Sequence, residues 1–308
     1  MTSNIPWVEK YRPTNFKDIV LDPINKKIFN KIIKNKYFPN LFFYGPPGTG
    51  KTTTIINLIK EYLNSNNSLS IIHLNASDER GIDIIRNQIN QFVNSRGFYN
   101  DSMKFVVLDE VDYMTKNAQL ALKYLLQSNC HNIRFCLICN YISKIDNSLK
   151  EEFVCMRFNQ LPKKDIISFI QNIIDKENLK LNLSSIESIQ EHFNSDIRSM
   201  INYIQLNQDN NNWDDNIIHN DIYVEWINMF KNNIDTKDII NNIHKISIKY
   251  NQDKLYLIKS FLNYLIRNKD LKNINSFLND IELLIHNNKS SIENQVIYFI
   301  NVMKNYYK

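Results

Sequence analysis

The chain has 308 residues, 43% of them hydrophobic and 22% charged, with a formal net charge of +5. That balance suits a soluble globular protein of two or three modest domains, and no apolar run approaches the ~18 residues needed to cross a bilayer. The mild positive charge is compatible with nucleic-acid contact but is weak support for it alone.

In chain order, the N-terminal MTSNIPWVEKYRP lacks a basic stretch followed by an apolar core. No signal peptide is therefore expected, and a cytosolic or nuclear protein is the default. Short β-type runs follow at Leu41–Tyr44, Ile71–Leu74, Phe105–Leu108, Phe135–Cys139 and Val154–Phe158. Polar or helical stretches separate them, the pattern of an α/β fold whose parallel sheet is joined by crossover helices. Cys136 and Cys139 make a CxxC inside RFCLIC, but an odd offset on a strand sends their side chains to opposite faces. Buried thiols are the better reading than a metal or redox pair.

All five glycines lie at or before Gly97 and all seven prolines at or before Pro162, so the second half has no strong helix breakers. There Leu255, Ile258, Phe261, Leu262, Leu265 and Ile266 recur at steps of three and four, giving one apolar helical face. Ile281, Leu284 and Ile285 repeat the spacing. The Asn-rich stretch 207–220 reads as a linker. Boundaries near 160 and near 210 divide the chain into 1–160, 161–210 and 211–308.

Gly45-Pro46-Pro47-Gly48-Thr49-Gly50-Lys51-Thr52 satisfies GxxxxGK[ST] without a mismatch, between a strand-like LFFY and a helical TTIINLIKEYL. Glycines let such a loop turn its N–H groups onto a phosphate, and the helix that follows adds a favourable dipole. Lys51 is expected to reach the β- and γ-phosphates of ATP and the Thr52 hydroxyl to ligate magnesium; Thr53 completes the loop's contacts. A carboxylate must face that loop. KFVVL ends at Asp109-Glu110, placing Asp109 to hold magnesium and Glu110 to orient or deprotonate an attacking water. An acidic pair ending a strand is common, and it is the pairing with the loop that favours hydrolysis over a bland surface reading.

PWVEKYRP, GPPGTGKT, NASDERGID, LDEVDYMT, NAQLALKYL and ICNYISKI occur in that order. Together they resemble the small subunits of replication factor C, the AAA+ loaders of DNA sliding clamps, over about residues 6–205. The resemblance implies an AAA+ module (1–160), a helical lid (161–210) and an all-helical collar (211–308) that joins subunits into a hetero-pentamer. It implies other replication factor C-like subunits, a PCNA-type sliding clamp and primer–template DNA as partners, at a nuclear or cytoplasmic site of replication and not at a membrane. By the same analogy Tyr11, Arg12 and Pro13 lie against the adenine, Asn140 takes the sensor-1 position, and Arg198 in NSDIRSMINYIQ takes the sensor-2 position. Ser195 stands where that helix motif usually has glycine.

Ser77 or Asp78 can cap a helix with Ile82, Ile85 and Ile89 on one face. Backbone N–H groups at such a start, beside Arg80, Gly81 and Ile82 and with Arg86 a turn further on, can grip a DNA phosphate without reading bases. Lys116 and Lys123 are weaker candidates of the same kind. One departure matters. The family's small subunits usually carry Ser-Arg-Cys after sensor 1, whose arginine reaches a neighbour's ATP site, and here that position falls on Glu151-Glu152-Phe153. The alternatives to a clamp-loader ATPase are a structural subunit that holds ATP without much hydrolysis and another AAA+ DNA motor such as a branch-migration helicase.

Overall fold

The structure is a computed structural model that describes residues 5–63, 71–77, 84–94, 103–128, 132–209, 218, 220–250, 252–267, 277–279, 281–283 and 291–307. The chain divides into two compact units, Met1–Leu181 with Ile189–Asp209, and Asn182–Ser188 with Asn210–Lys308.

The first unit opens with a short helix α1 (Trp7–Lys10) and then α2 (Pro23–Asn35). Asp22 starts α2 by accepting from the Ile24 and Asn25 amides, and Pro23 occupies the first turn, where its missing N–H costs nothing. Strand β1 (Leu41–Tyr44) runs into the glycine-rich loop and α3 (Lys51–Tyr62). Then come β2 (Ile71–Asn75), a π-helical stretch Ile84–Ile89 leading into α4 (Asn90–Asn94), and β3 (Lys104–Asp109). Helix α5 (Lys116–Ser128), β4 (Ile133–Cys139), α6 (Asn147–Lys150) and β5 (Val154–Arg157) complete the sheet.

The five strands are all parallel and ordered β2-β3-β4-β1-β5. Central strands β1, β3 and β4 are apolar on both faces because helices cover both, which is why they read as continuous apolar runs. Cys136 packs with Ile55 and Leu58 of α3 on one face, whereas Cys139 packs with Ala118 and Leu122 of α5 on the other. Both thiols are free. Burial pushes the Cys136 thiol up, and Cys139 likewise to about 12, so neither supplies a thiolate at neutral pH.

Helices α7 (Lys163–Lys176), α8 (Leu183–Phe193) and α9 (Ile197–Leu206) follow. Position 160 is where strands give way to helices. The N-terminus returns to the last of these helices: α1 packs on α9, and the Trp7 amide donates to Gln205 Oε1 at 2.9 Å.

The second unit has its own apolar core, in which helices Asn220–Lys231, Thr236–Lys249, Lys254–Arg267 and Ile292–Tyr307 meet. Trp226, Phe261 and Phe299 are wholly enclosed, and the Trp226 indole donates to Asn242 Oδ1 at 2.9 Å. In Lys254–Arg267 the buried face is carried by Leu257, Ile258, Phe261, Leu262 and Leu265. Ile266, expected on that face, is 43% exposed, because it lies one residue past the stripe while Leu257 falls within it. Leu284 and Ile285 lie outside the described residues. Among the described residues no helix is long and apolar enough to cross a membrane.

Candidate functional site

The glycine-rich loop turns because three glycines take positive φ: Gly45 at 145°, Gly48 at 73° and Gly50 at 83°. A Cβ at Gly45 would overlap the Phe158 carbonyl, and one at Gly48 would overlap the Asp196 carboxylate, so only glycine fits either place. Thr49 is buried, its hydroxyl donating to the Pro46 carbonyl at 2.9 Å. Lys51 is only 7% exposed. Its ammonium donates to the Gly45 and Pro46 carbonyls at 2.8 Å each and to Asn140 Oδ1 at 2.9 Å, which uses all three of its protons. Burial pushes the Lys51 ammonium down to about 8, against the pull of the Asp109 carboxylate.

Asp109 closes the site from the end of β3. Its Oδ2 accepts the Thr52 hydroxyl at 2.6 Å and its Oδ1 accepts the Glu110 amide at 2.9 Å. Two oxygen donors from different elements thus stand together at the mouth of the loop, the hard donor set that magnesium takes, so Thr52 and Asp109 fit that ion. Glu110 holds a left-handed backbone, φ 56° and ψ 37°, uncommon for a residue with a side chain and concentrated at functional sites. The bend starts the turn Val111–Tyr113 and leaves Glu110 lining the pocket beside Asp109.

One pocket joins nearly every residue singled out from the sequence for nucleotide chemistry. Tyr11, Arg12, Pro13, Pro47–Thr53, Asp109, Glu110, Asn140 and Arg198 all line it. Arg12 donates from Nε to Thr53 Oγ1 at 3.2 Å, and Tyr11 donates its hydroxyl to Glu177 beyond the end of α7. Lys10 pairs with the same carboxylate, and Lys176 lies 5.7 Å above the Tyr11 ring. Burial and the bond to Glu177 raise the Tyr11 phenol, which stays protonated as a donor. Arg198 stands exposed on the first turn of α9, opposite the loop. Ser195, in place of the family's glycine, accepts the Leu161 amide at 3.0 Å, so the hydroxyl has acquired a bond of its own.

Sequence reasoning passed over several supports. Asn57 is buried in α3 and donates to the carbonyls of Pro13 at 2.9 Å and Thr53 at 3.0 Å, fastening the Tyr11–Pro13 turn to the phosphate-loop helix. An Asn among Ile55, Leu58 and Ile59 on a core-facing helix was the available signal, since a buried amide needs partners. Asp196 caps α9 by accepting the Ser199 amide at 3.0 Å and hydroxyl at 2.7 Å while resting against Gly48. Ile19, Val20, Phe169, Ile197 and Ile201 give the pocket an apolar wall. Nothing in their spacing distinguishes them from ordinary core residues.

Most of the DNA-facing set falls outside what is described. Arg80, Gly81 and Ile82 lie outside the described residues, and of Arg86 only the backbone, within Ile84–Ile89, is described. Lys116 is exposed at the start of α5 and Lys123 is half-buried two turns on. Ser77 donates its amide and hydroxyl to Asn75 Oδ1 at 3.1 and 3.0 Å.

Comparison with known proteins agrees with this geometry. The ATPase family associated with various cellular activities (AAA) matches residues 41–161. Probable replication factor C subunit 5 of Dictyostelium discoideum is 34% identical over 285 residues, 83% of this chain and 82% of that protein. Replication factor C subunit 3 of Saccharomyces cerevisiae is 39% identical over 202 residues, which span 66% of this chain and 59% of the relative. Replication factor C subunit 5 of Homo sapiens is 37% identical over 203 residues, 66% of this chain and 60% of the relative. The Holliday junction branch migration motor RuvB of Thermotoga maritima shares the fold, with a TM-score of 0.54 over 85% of this chain and 92% of that one at 15% identity. A parallel sheet, a glycine-rich loop closed by an acid pair, and matching sequence over most of its length show that this chain belongs to the replication factor C small-subunit family of AAA ATPases.

Proposed function

We propose that this chain is an ATP-binding and ATP-hydrolysing subunit of a clamp loader. It works beside other replication factor C-like subunits in a hetero-pentamer that opens a PCNA-type sliding clamp and loads it onto primer–template DNA, at a nuclear or cytoplasmic site of replication. The observation that carries the reading is the convergence of the loop, the acid pair, Asn140 and Arg198 on one pocket, in a chain whose relatives are named as replication factor C subunits.

In this reading the loop amides and Lys51 bind the β- and γ-phosphates of ATP, and the Tyr11–Pro13 turn supports the base. Thr52 and Asp109 would hold magnesium, which when bound supplies charge that offsets the phosphates. Glu110 orients a water in line with the γ-phosphate and takes its proton as the new P–O bond forms and ADP leaves. Asn140 and Arg198 touch the γ-phosphate from the sheet and from α9, so a change there is felt by both. Arg80, Arg86, Lys116 and Lys123 would contact the phosphates of DNA.

Glu152, at the position of the family's trans-acting arginine, is half-buried and accepts the Gln127 side-chain amide at 2.9 Å. An arginine there contributes ~10³-fold or more to a neighbour's turnover, and a carboxylate repels the phosphates it would meet. The chain therefore hydrolyses ATP in its own site and does not complete the adjacent one.

The test is co-purification with the source's other loader subunits and its clamp, followed by ATPase assays with primed DNA. Turnover should rise with clamp and primed DNA together and fall when Glu110 is replaced by Gln. Unchanged turnover in that variant would favour a structural ATP-holding subunit, and strand displacement without any clamp would favour a helicase.

A further inference from the structure

Glu177 caps the C-terminal end of α7, with φ −91° and ψ 2°. That end of a helix carries the negative pole of the backbone dipoles, so a carboxylate there works against the helix it terminates. Its side chain is nonetheless only 18% exposed. Among the described residues both of its side-chain hydrogen bonds come from the N-terminal segment, one from the Lys10 ammonium and one from the Tyr11 hydroxyl, 167 and 166 residues away. The stability of α7 does not account for a glutamate at this place; the contacts with Lys10 and Tyr11 do.

Tyr11 lines the nucleotide pocket, and Glu177 stands outside it. The tyrosine is half-buried, and Trp7 meets its ring edge-on, with centroids 6.3 Å apart and planes at 90°. The Lys10 and Lys176 ammoniums lie 5.2 and 5.7 Å from the ring centroid. A phenol has one proton to donate, and here Glu177 takes it, so Tyr11 offers the pocket its ring rather than a donor. Arg12 is likewise engaged, with Thr53 and Glu9. Val8, Ile19, Val20 and Phe169, which line the same pocket, are apolar. A base held by ring contact depends on where the ring stands. A charge-assisted bond at the tip of the side chain fixes that before the ligand arrives and removes the entropy cost of ordering it afterwards.

We propose that Glu177 is a positioning residue for the base: it holds the Tyr11 ring in place as one wall of the base slot, and so sets how long a nucleotide stays bound. The inference rests on the reading of this pocket as a nucleotide site with the Tyr11–Pro13 turn against the base. It places control of residence time outside the phosphate loop. Helix α7 then serves the base twice, directly through Phe169 and through Tyr11 by way of Glu177.

The experiment uses the full chain, with magnesium and a ribose-labelled fluorescent ADP in stopped flow and with tripolyphosphate in titration. Glu177→Met, which removes the acceptor at similar volume, should speed ADP release by ~10-fold and leave tripolyphosphate affinity unchanged. Glu177→Gln keeps an acceptor for the hydroxyl and should recover most of the wild-type residence time. Tyr11→Phe should match Glu177→Met, and the double variant should release ADP no faster than either single one. Wild-type release in Glu177→Met, a Gln variant as fast as Met, effects that multiply in the double variant, or a parallel loss of tripolyphosphate binding each overturns the inference while leaving the nucleotide site standing. Failure of wild type to bind ADP overturns the nucleotide reading, and this inference with it.

Discussion

Lys51 donates to Asn140 Oδ1 at 2.9 Å, joining the first turn of α3 to the end of β4 across the centre of the sheet. That ammonium is buried and held down to about 8, so a triphosphate brought against it must raise its proton affinity. Binding should then take up a proton near pH 8. Affinity is full below about 8 and falls as pH rises through that value, by at most ~10-fold per unit. Calorimetry in buffers of different ionisation enthalpy checks this, and a heat of binding that ignores the buffer between pH 7.5 and 8.5 would refute it.

Replacing Glu110 by Gln keeps the side-chain volume and the left-handed backbone but removes the base. Single-turnover hydrolysis in the assembled complex should slow by ~10²–10⁴-fold. ATP affinity should stay within a few-fold, since phosphate contacts belong to the loop. A parallel loss of affinity would mean that Glu110 holds the nucleotide rather than the water.

Gly48 and Gly50 separate crowding from backbone strain. Both have positive φ, but a Cβ at Gly50 meets nothing nearer than Thr54 Oγ1 at 4.0 Å, whereas one at Gly48 overlaps the cap of α9. Gly50→Ala should cost ~1–2 kcal/mol, the price of left-handed backbone with a side chain. Gly48→Ala should cost that much again through displacement of the Asp196 cap, itself worth ~1 kcal/mol, and should weaken ATP binding further because Arg198 moves with α9. Thermal unfolding and ATP titration of the two variants give the comparison, and equal losses would discount the Gly48–Asp196 contact.

Asn57→Ala leaves the part-buried Pro13 carbonyl without its donor, at a cost of about 1 kcal/mol. The Tyr11–Pro13 turn should loosen while the phosphate loop stays in place. ATP affinity should fall several-fold and tripolyphosphate affinity should not. Equal weakening of both ligands would place the role of Asn57 in the loop instead.

Glu152→Arg should raise hydrolysis at the adjacent site of the assembled complex, read with the chain's own site silenced by Glu110→Gln. If the wild-type chain already stimulates that neighbour fully, Glu152 is not the barrier proposed.

The strands and the loop were legible because their signals are local: apolar runs of four to seven residues, and a glycine motif followed by a helix. Asp109 was expected from its pairing with the loop, whereas the arrival of Asn140 and Arg198 became expected only through the ordered family motifs, since each alone is an ordinary strand end or helix arginine. Asn57, Glu177 and Gln205 stayed hidden because their partners lie 44, 166 and 198 residues away. Spacing rules do not reach that far. The contacts of the N-terminal segment with α7 and α9 were hidden for the same reason, being made by Trp7 and Lys10 at the other end of the chain. Ser195 looked like a small defect in a motif, and it is a hydrogen-bonding residue.

The bond between the Trp7 amide and Gln205 also orders events during biosynthesis. Its partners are 198 residues apart, and Tyr11 waits 166 residues for Glu177. At ~5–20 residues per second a ribosome takes roughly 10–40 s to cover that distance. For that interval the aromatic N-terminal segment leaves the ribosome with its cover unmade, while the strands behind it can already collapse. A nascent chain cut short before α9 would carry a complete phosphate loop but keep Trp7 in solvent, a form that chaperones and proteases can tell from the finished subunit.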